Sequence, residues 1–190
     1  MARIKICGLV REIDVDYVNE LQPDFIGFIL SAGFRRSITE EQAKLLKSRL
    51  SPKIKAVGVF VNEDAEYINS FARKGIIDIA QLHGNEEPQV CEQITVPVIK
   101  YFNPKDFGRI KDYNTDYFLF DSGTGTGKGF DWSLIPKTDT PFFLAGGINE
   151  SNIKKAIRQV NPYCIDLSSA VETDGFKDYN KIKKIMESVK

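Results

Sequence analysis

Eight short apolar runs are spread along the chain, and each is followed by residues suited to chemistry rather than to packing. The segments between them are mostly typical of helices. The runs span residues 4–6, 25–30, 56–61, 76–82, 96–102, 117–120, 142–145 and 163–167. Strands that alternate with helices predict βαβ units and a parallel sheet. In parallel sheets of this kind the functional residues lie at the carboxyl ends of the strands, so the eight strand ends predict the rim of an active site.

Eight strand–helix units predict an α/β fold, a minimal (β/α)8 TIM barrel that forms one domain over residues 1–190. Barrels of this kind typically take about 250 residues, so this chain has almost no room for insertions. A five-stranded doubly wound sheet suits the length but leaves three runs unexplained. Gly27 and Gly58 lie inside two runs, where small residues are expected if the barrel interior must accommodate larger neighbours.

A closed barrel also predicts an ion pair. Residues two apart on a strand share a face, so Lys5 points inward below Cys7 and Asp166 points inward below Ser168. The first and last strands are neighbours only if the barrel closes. We therefore expect Lys5 to pair with Asp166; the alternative is that both charges reach solvent at strand edges.

Helix boundaries are clearest where capping residues stand before apolar spacing. Thr39 is a candidate N-cap for a helix that ends near Pro52. Further helices are predicted to start at residues 62–64 and 149–152, and the last helix is predicted to span residues 178–189. The stretches 102–115 and 122–140 have room for short helices only.

Composition narrows the range of partners. Lys plus Arg and Asp plus Glu each number 26, which argues against nucleic acid or a membrane surface as a partner. Three scattered cysteines without a CxxC pair suggest neither a disulfide framework nor a zinc site. The sequence opens on a strand-like run, with no signal-peptide pattern and no long apolar span. We expect a cytoplasmic protein that is a monomer or a weak homo-oligomer.

Two strand ends carry candidate catalytic groups. Cys7 lies at the tip of the first strand, where nearby Lys5 could support a thiolate that takes a proton; the alternative is an inert buried cysteine. Asp121 directly follows an apolar run, which is costly for a carboxylate unless it is solvated, paired or functional. We predict a general acid there, with the N-cap of a turn as the alternative. Cys91 and Cys164 are expected to pack.

The ends of two further strands predict a phosphate site. Gly146 and Gly147 precede a helix start, and Ser168 and Ser169 follow the eighth strand. Phosphate in these barrels commonly binds at the loops after strands seven and eight, through backbone N–H groups and a helix N-terminus. The glycine-rich segment 123–129 is not a Walker A loop, because glycine stands where Ser or Thr is required. We expect it to form a mobile loop over the barrel mouth.

Arginine and histidine supply the remaining candidates. Arg35 and Arg36 follow the second strand, and one of them could hold a carboxylate bidentately while the other is solvated. His83 is the only histidine, so no histidine-rich metal site exists. We include it as a substrate-binding candidate at the mouth, with simple packing as the alternative. Trp132 is expected in the core.

These motifs, in this order and spacing, resemble the phosphoribosylanthranilate isomerase family of tryptophan biosynthesis. The motifs are residues 5–8, 24–28, 57–62, 81–84, 127–132, 144–148 and 166–169. The resemblance implies a (β/α)8 barrel without cofactor or metal that performs an Amadori rearrangement of a phosphoribosyl substrate. It implies that Asp121 is the general acid, that Cys7 is the general base and that Arg36 binds the anthranilate carboxylate.

The resemblance also assigns the phosphate to the backbone around Gly146, Gly147, Ser168 and Ser169. The segment Gly33–Ser37 departs from the usual pattern around the arginine, which leaves open whether Arg35 or Arg36 binds the carboxylate. Two other classes remain as alternatives. One is a Schiff-base phosphosugar lyase or aldolase that uses Lys100, and the other is a non-catalytic phospholigand-binding barrel.

Overall fold

The computed structural model describes residues 2–122 and 130–189. Its eight main strands coincide with the eight predicted runs, although the fourth begins three residues later than its run. They are β1 (Arg3–Cys7), β2 (Phe25–Ile29), β3 (Lys55–Phe60), β4 (Ile79–Leu82), β5 (Val98–Phe102), β6 (Tyr117–Phe120), β7 (Phe142–Leu144) and β8 (Cys164–Leu167). All neighbours are parallel, and β8 pairs with β1 to close the barrel. The predicted (β/α)8 fold is confirmed.

Helices cover the outside of the barrel. They are α1 (Glu12–Leu21), α2 (Glu40–Arg49), α3 (Ala65–Arg73), α4 (Pro88–Glu92), α5 (Ile153–Val160) and α6 (Tyr179–Ser188). Short 3-10 helices occupy Pro104–Asp112, Trp132–Leu134 and Ser169–Val171, and a hairpin of β9 (Glu172–Thr173) and β10 (Phe176–Lys177) follows β8. Thr39 caps α2 as predicted: its hydroxyl accepts from the Gln42 amide, and the Gln42 side chain accepts from the Thr39 amide.

Apolar side chains pack in two separate regions. One lies inside the barrel and the other between strands and helices. The inner cluster contains Phe25, Val57, Ile79, Ile99, Leu119, Phe143, Ala145 and Cys164. Because Val57 is inside, Gly58 faces outward, where an added Cβ would lie 2.8 Å from Ile77. The expectation that Gly58 makes room in the interior is therefore wrong: it makes room for the outer layer. Gly27 does face the interior.

The ion pair expected from closure is present. Lys5 lies opposite Asp166 in the β1–β8 register, and its Nζ is 2.8 Å from Asp166 Oδ2. Lys5 is fully buried, and it also donates a 2.9 Å hydrogen bond to Gln81 Oε1. Burial alone would lower the pKa of Lys5, but the negative charges of Asp166 and Cys7 raise that pKa above its ordinary value. Lys5 is thus held as an ammonium ion inside the barrel.

Candidate active site

The carboxyl ends of the strands surround a cavity of about 540 Å³. That size is typical of sites for small molecules. All eight side chains and backbone positions predicted for the site line this cavity. They are Cys7, Arg36, His83, Asp121, Gly146, Gly147, Ser168 and Ser169. Gln81 and Asp166, whose side chains point inward one layer below His83 and Ser168, form part of its floor.

Cys7 stands at the end of β1 with 8% of its surface exposed. Gly27 lies beside it on β2, where an added Cβ would lie 2.7 Å from the Cys7 Sγ atom. A side chain at position 27 would therefore displace the sulfur. Lys5 lies two residues earlier on the same face of β1. The thiol is thus placed between the open cavity and a buried positive charge.

Asp121 follows the last residue of β6 and is partly buried in the cavity wall. The Ser122 hydroxyl donates a 3.3 Å hydrogen bond to its Oδ1 atom. Gly146 lies against the same carboxylate, since an added Cβ there would lie 2.8 Å from Oδ1. Tyr101 is close enough to be affected: burial raises the pKa of Tyr101, and the negative charge of Asp121 raises it further. The carboxylate therefore faces the cavity from the side of β6.

The turns after β7 and β8 present backbone groups at the mouth. Gly146 and Gly147 have φ angles of +81° and +70°, a conformation that glycine adopts without strain. The Gly147 carbonyl accepts hydrogen bonds from the side-chain amides of Asn149 and Asn152, which fix the turn. The Ser168 hydroxyl is already engaged, because it accepts from Arg36 Nη1 and donates to the Cys7 carbonyl. Any anion here would therefore meet backbone amides rather than this hydroxyl.

The two neighbouring arginines have different surroundings. Arg36 lines the cavity, and its side chain is 20% exposed. Arg35 lies outside the cavity lining with its side chain 61% exposed. Phe34, which the sequence interpretation did not single out, also lines the cavity and is 48% exposed. Of the two arginines, Arg36 is therefore the one positioned to meet a ligand.

His83 is packed within the cavity wall. Its ring stacks on Tyr101 with 4.1 Å between centroids, and its Nδ1 atom is 2.9 Å from Gln81 Nε2. Since the Gln81 amide nitrogen can only donate, Nδ1 accepts and the ring proton sits on Nε2. Burial, followed by the charges of Lys5 and Lys100, lowers the pKa of His83 to about 3. At neutral pH the imidazole offers a hydrogen bond but no charge.

Lys100 lies on the opposite face of the barrel wall. Its Nζ is 2.7 Å from Glu86 Oε2 and donates to the Gly84 carbonyl at 2.8 Å, with 2% of the residue exposed. It does not belong to the cavity lining among the described residues. A carbonyl substrate at the mouth could not reach it, so the geometry gives no support to the Schiff-base alternative.

The other two cysteines are packed away from the mouth. Burial raises the pKa of Cys91 to about 11 and that of Cys164 well above its ordinary value. Both therefore remain thiols and behave as small apolar side chains, as predicted. Trp132 is partly buried and packs against the outer core cluster.

Sequence reasoning missed three polar residues at the cavity or next to it. Gln81 could have been found from its place two residues before His83 on the same strand face. Glu172 and Lys177 lie on β9 and β10, and the Asp174–Gly175 turn signal could have indicated that hairpin. Nothing in the sequence indicated that Glu172 would contact the arginines after β2.

Two kinds of feature are absent from the described residues. No group of three or more His, Cys, Asp or Glu side chains in residues 2–122 and 130–189 is arranged to hold a metal ion. Within the same ranges, no helix is both long enough and apolar enough to cross a membrane. The glycine-rich segment 123–129, expected to cover the mouth, lies outside the described residues.

Comparison with known proteins gives consistent matches over the whole chain. Residues 4–188 match the family described as N-(5'phosphoribosyl)anthranilate (PRA) isomerase. The chain is 44% identical to the N-(5'-phosphoribosyl)anthranilate isomerase of Endomicrobium trichonymphae, with 100% of this chain and 98% of that protein covered.

Solved structures of the same name are similar in fold. The phosphoribosyl anthranilate isomerase of Thermotoga maritima superposes with a TM-score of 0.91 at 36% identity, covering 99% of this chain and 98% of that one. A second structure, of this isomerase with reduced 1-(o-carboxyphenylamino)-1-deoxyribulose 5-phosphate bound, has a TM-score of 0.88 at 34% identity. The match covers 99% of this chain and 98% of the chain in that structure.

Proposed function

The chain belongs to the N-(5'-phosphoribosyl)anthranilate isomerase family, and we propose that Cys7 and Asp121 perform the family's reaction at the barrel mouth. The protein is an isomerase of tryptophan biosynthesis. It converts N-(5'-phosphoribosyl)anthranilate to 1-(2-carboxyphenylamino)-1-deoxyribulose 5-phosphate by an intramolecular Amadori rearrangement. Ring opening and proton abstraction, the two chemical steps, each use one of these two side chains.

Asp121 acts first, as the general acid. Its protonated carboxyl group gives a proton to the furanose ring oxygen, and the C1′–oxygen bond breaks to leave an iminium ion. The position of Asp121 supports this role, since a proton donor must lie within reach of the bound substrate and Asp121 lines the cavity. Gly146 leaves space for the carboxyl group against the cavity wall.

Cys7 then acts as the general base. Its thiolate removes the C2′ proton, which converts the iminium ion to an enolamine. The enolamine gains a proton at C1′ while its C2′ hydroxyl becomes the ketone, so the overall reaction is redox neutral and consumes no cofactor. A free cysteine has a pKa of about 8.5, so a base at neutral pH needs an environment that favours the thiolate. The buried Lys5 ammonium lies two residues before Cys7 on the same face of β1.

Binding groups surround this pair. Arg36 holds the anthranilate carboxylate, and the backbone at Gly146, Gly147, Ser168 and Ser169 holds the phosphate. The phosphate interaction relies on backbone N–H groups, which suits a protein of zero net charge. His83 offers its Nε2 proton to a substrate oxygen while remaining neutral. The substrate thus extends from the β7–β8 turns towards the loop after β2.

One observation carries the assignment: Cys7 and Asp121 line the same cavity, although they end strands on different sides of the barrel. The test is a fluorescence assay that follows loss of phosphoribosylanthranilate. We expect turnover by the native protein without added metal or cofactor. Binding without turnover would favour a phospholigand-binding barrel instead. Borohydride trapping of substrate on Lys100 would favour the lyase.

We also propose how the protein exists in the cell. The single barrel domain over residues 1–190 works in the cytoplasm as a monomer or weak homo-oligomer, without nucleic-acid or membrane partners. The balanced charge and the complete set of site residues in one chain support this proposal. Sedimentation at several protein concentrations tests the oligomeric state, and a stable dimer at low concentration would contradict it.

A further inference from the structure

Glu172 forms ion pairs with three positively charged side chains at the edge of the cavity. Its Oε1 atom lies 2.5 Å from both Arg36 Nη1 and Lys177 Nζ, and its Oε2 atom lies 2.7 Å from Arg35 Nη2. Glu172 is 8% exposed and Lys177 is 4% exposed. Buried charges of this kind are retained only with good geometry and several hydrogen bonds. The hairpin of β9 and β10 is thereby joined to the loop after β2.

Arg36 is held on several sides, while its side chain still lines the cavity. Its Nη1 atom donates to both Glu172 and Ser168. Its stem passes over Gly8, where an added Cβ would lie 2.9 Å from the Arg36 Cδ atom. Its Nε atom is buried and has no hydrogen-bond partner among the described residues. A buried donor without a partner is costly, so the guanidinium still lacks an interaction in the described part of the structure. Its Nη1 atom is occupied by Glu172 and Ser168, and the side chain as a whole is 20% exposed at the cavity.

The charges in this cluster do not cancel. Three cations around one carboxylate leave two positive charges at the rim of the cavity. Glu172 therefore fixes the direction of the Arg36 guanidinium without removing its attraction for an anion. A simple Arg36–Glu172 pair without Arg35 and Lys177 would be neutral and would compete with an incoming carboxylate.

We propose that Glu172 is a positioning residue that aims the Arg36 guanidinium at the substrate carboxylate. This inference rests on the proposed function of Arg36 and extends it. Glu172 touches neither the reacting atoms nor the substrate, and it does not line the cavity among the described residues. Its effect is on the choice of ligand: it makes the site prefer an aromatic amine that carries a carboxylate over one that does not.

The test compares two inhibitors. One is reduced 1-(o-carboxyphenylamino)-1-deoxyribulose 5-phosphate, and the other is the same compound without its carboxyl group. For the native protein we expect the first to bind about ten- to a hundredfold more tightly, the range for a charge-assisted hydrogen bond. In Glu172→Gln this preference should fall to about threefold or less, because the guanidinium loses its anchor. The KM for substrate should rise about tenfold while kcat changes little.

Two other substitutions serve as controls. Arg35→Gln removes an exposed partner of the same carboxylate and should keep the native preference. Glu172→Asp keeps the charge but shortens the side chain, so it should fold where Glu172→Gln does not and should lose part of the preference. A folded Glu172→Gln or Glu172→Asp protein with the full native preference would overturn the proposal.

Failure of the underlying assignment gives a different result. If the native protein binds both inhibitors equally, or if Arg36→Gln keeps the preference, then Arg36 does not bind the carboxylate. In that case the proposed role of Arg36 is wrong, and the proposal for Glu172 falls with it. If Arg36→Gln loses the preference and the Glu172 variants keep it, only the positioning role is wrong.

Discussion

Lys5 and Asp166 form an ion pair of 2.8 Å inside the barrel, although 161 positions separate them in the sequence. The pair joins the first strand to the last. Its Lys5 end is fully buried and has a second acceptor in Gln81, whereas Asp166 Oδ1 has no partner among the described residues. Breaking one half of such a pair leaves an uncompensated buried charge, which is more harmful than losing both.

We therefore expect Asp166→Leu to lower the free energy of unfolding by about 3–5 kcal/mol. The double variant Lys5→Met with Asp166→Leu should recover most of that loss, because no charge is left in the interior. Urea denaturation of the native protein and the two variants measures both effects. A double variant as unstable as Asp166→Leu would show that the charge is not what destabilises the single variant.

Cys7→Ser should lower turnover by at least about a hundredfold, because serine is a far weaker base at neutral pH. Affinity for the reduced product analogue should stay within about threefold, since the shape of the cavity is kept. Asp121→Asn is the matched change on the acid side and should behave in the same way. Steady-state kinetics together with inhibitor titration separate the two quantities. Near-normal turnover in Cys7→Ser would remove Cys7 from the mechanism.

Gly27→Ala should reduce kcat by about ten- to a hundredfold, because its Cβ would lie 2.7 Å from the Cys7 sulfur and push it out of line. Gly108→Ala is the control, since an added Cβ at that position meets nothing within 4 Å. Kinetics of both variants, with their unfolding midpoints, distinguish a displaced base from a destabilised fold. Equal kcat values for the two variants would contradict the close packing of Gly27 on Cys7.

His83 should make stability depend on pH. Its pKa in the folded protein is about 3, against an ordinary value of 6.5, so only the unfolded chain binds a proton between those values. Stability from this group is complete above about pH 6.5 and is lost as pH falls towards 3. Between pH 6.5 and pH 4.5 the loss is on the order of 2 kcal/mol.

Two measurements check this expectation for His83. It is the only histidine, so a single imidazole signal in NMR spectra should show no titration between pH 5 and pH 8. His83→Gln should remove the contribution of His83 to the pH dependence of the free energy of unfolding. Urea denaturation at pH 7 and pH 4.5 would detect this change. A midpoint near 6.5 in the folded protein would contradict a neutral imidazole at pH 5 to 6.

Much of the barrel could be predicted from the sequence because strand alternation and closure are strong constraints. Apolar runs located all eight strands, and the two-residue period placed Lys5 and Asp166 on inward faces. The same period, applied to Val57, would also have shown that Gly58 faces the helices. That error came from treating glycine as a sign of the interior without checking its face.

The details of the mouth depend on long-range contacts that no local pattern contains. Arg35 and Arg36 are adjacent in a loop, where no strand period decides which one turns inward. Their orientation is set by Glu172, which lies 136 positions after Arg36 in the sequence. Distances of that kind follow from the closed fold and not from neighbouring residues.

Ring closure through Lys5 and Asp166 has a consequence for synthesis of the chain on the ribosome. Lys5 is made near the start, and its partner carboxylate appears only when almost the whole chain has been translated. Until then the first strand carries a lysine that cannot be buried at an acceptable cost. The nascent polypeptide therefore has no stable, native-like intermediate that includes its first strand. The barrel becomes complete only once β8 has been synthesised.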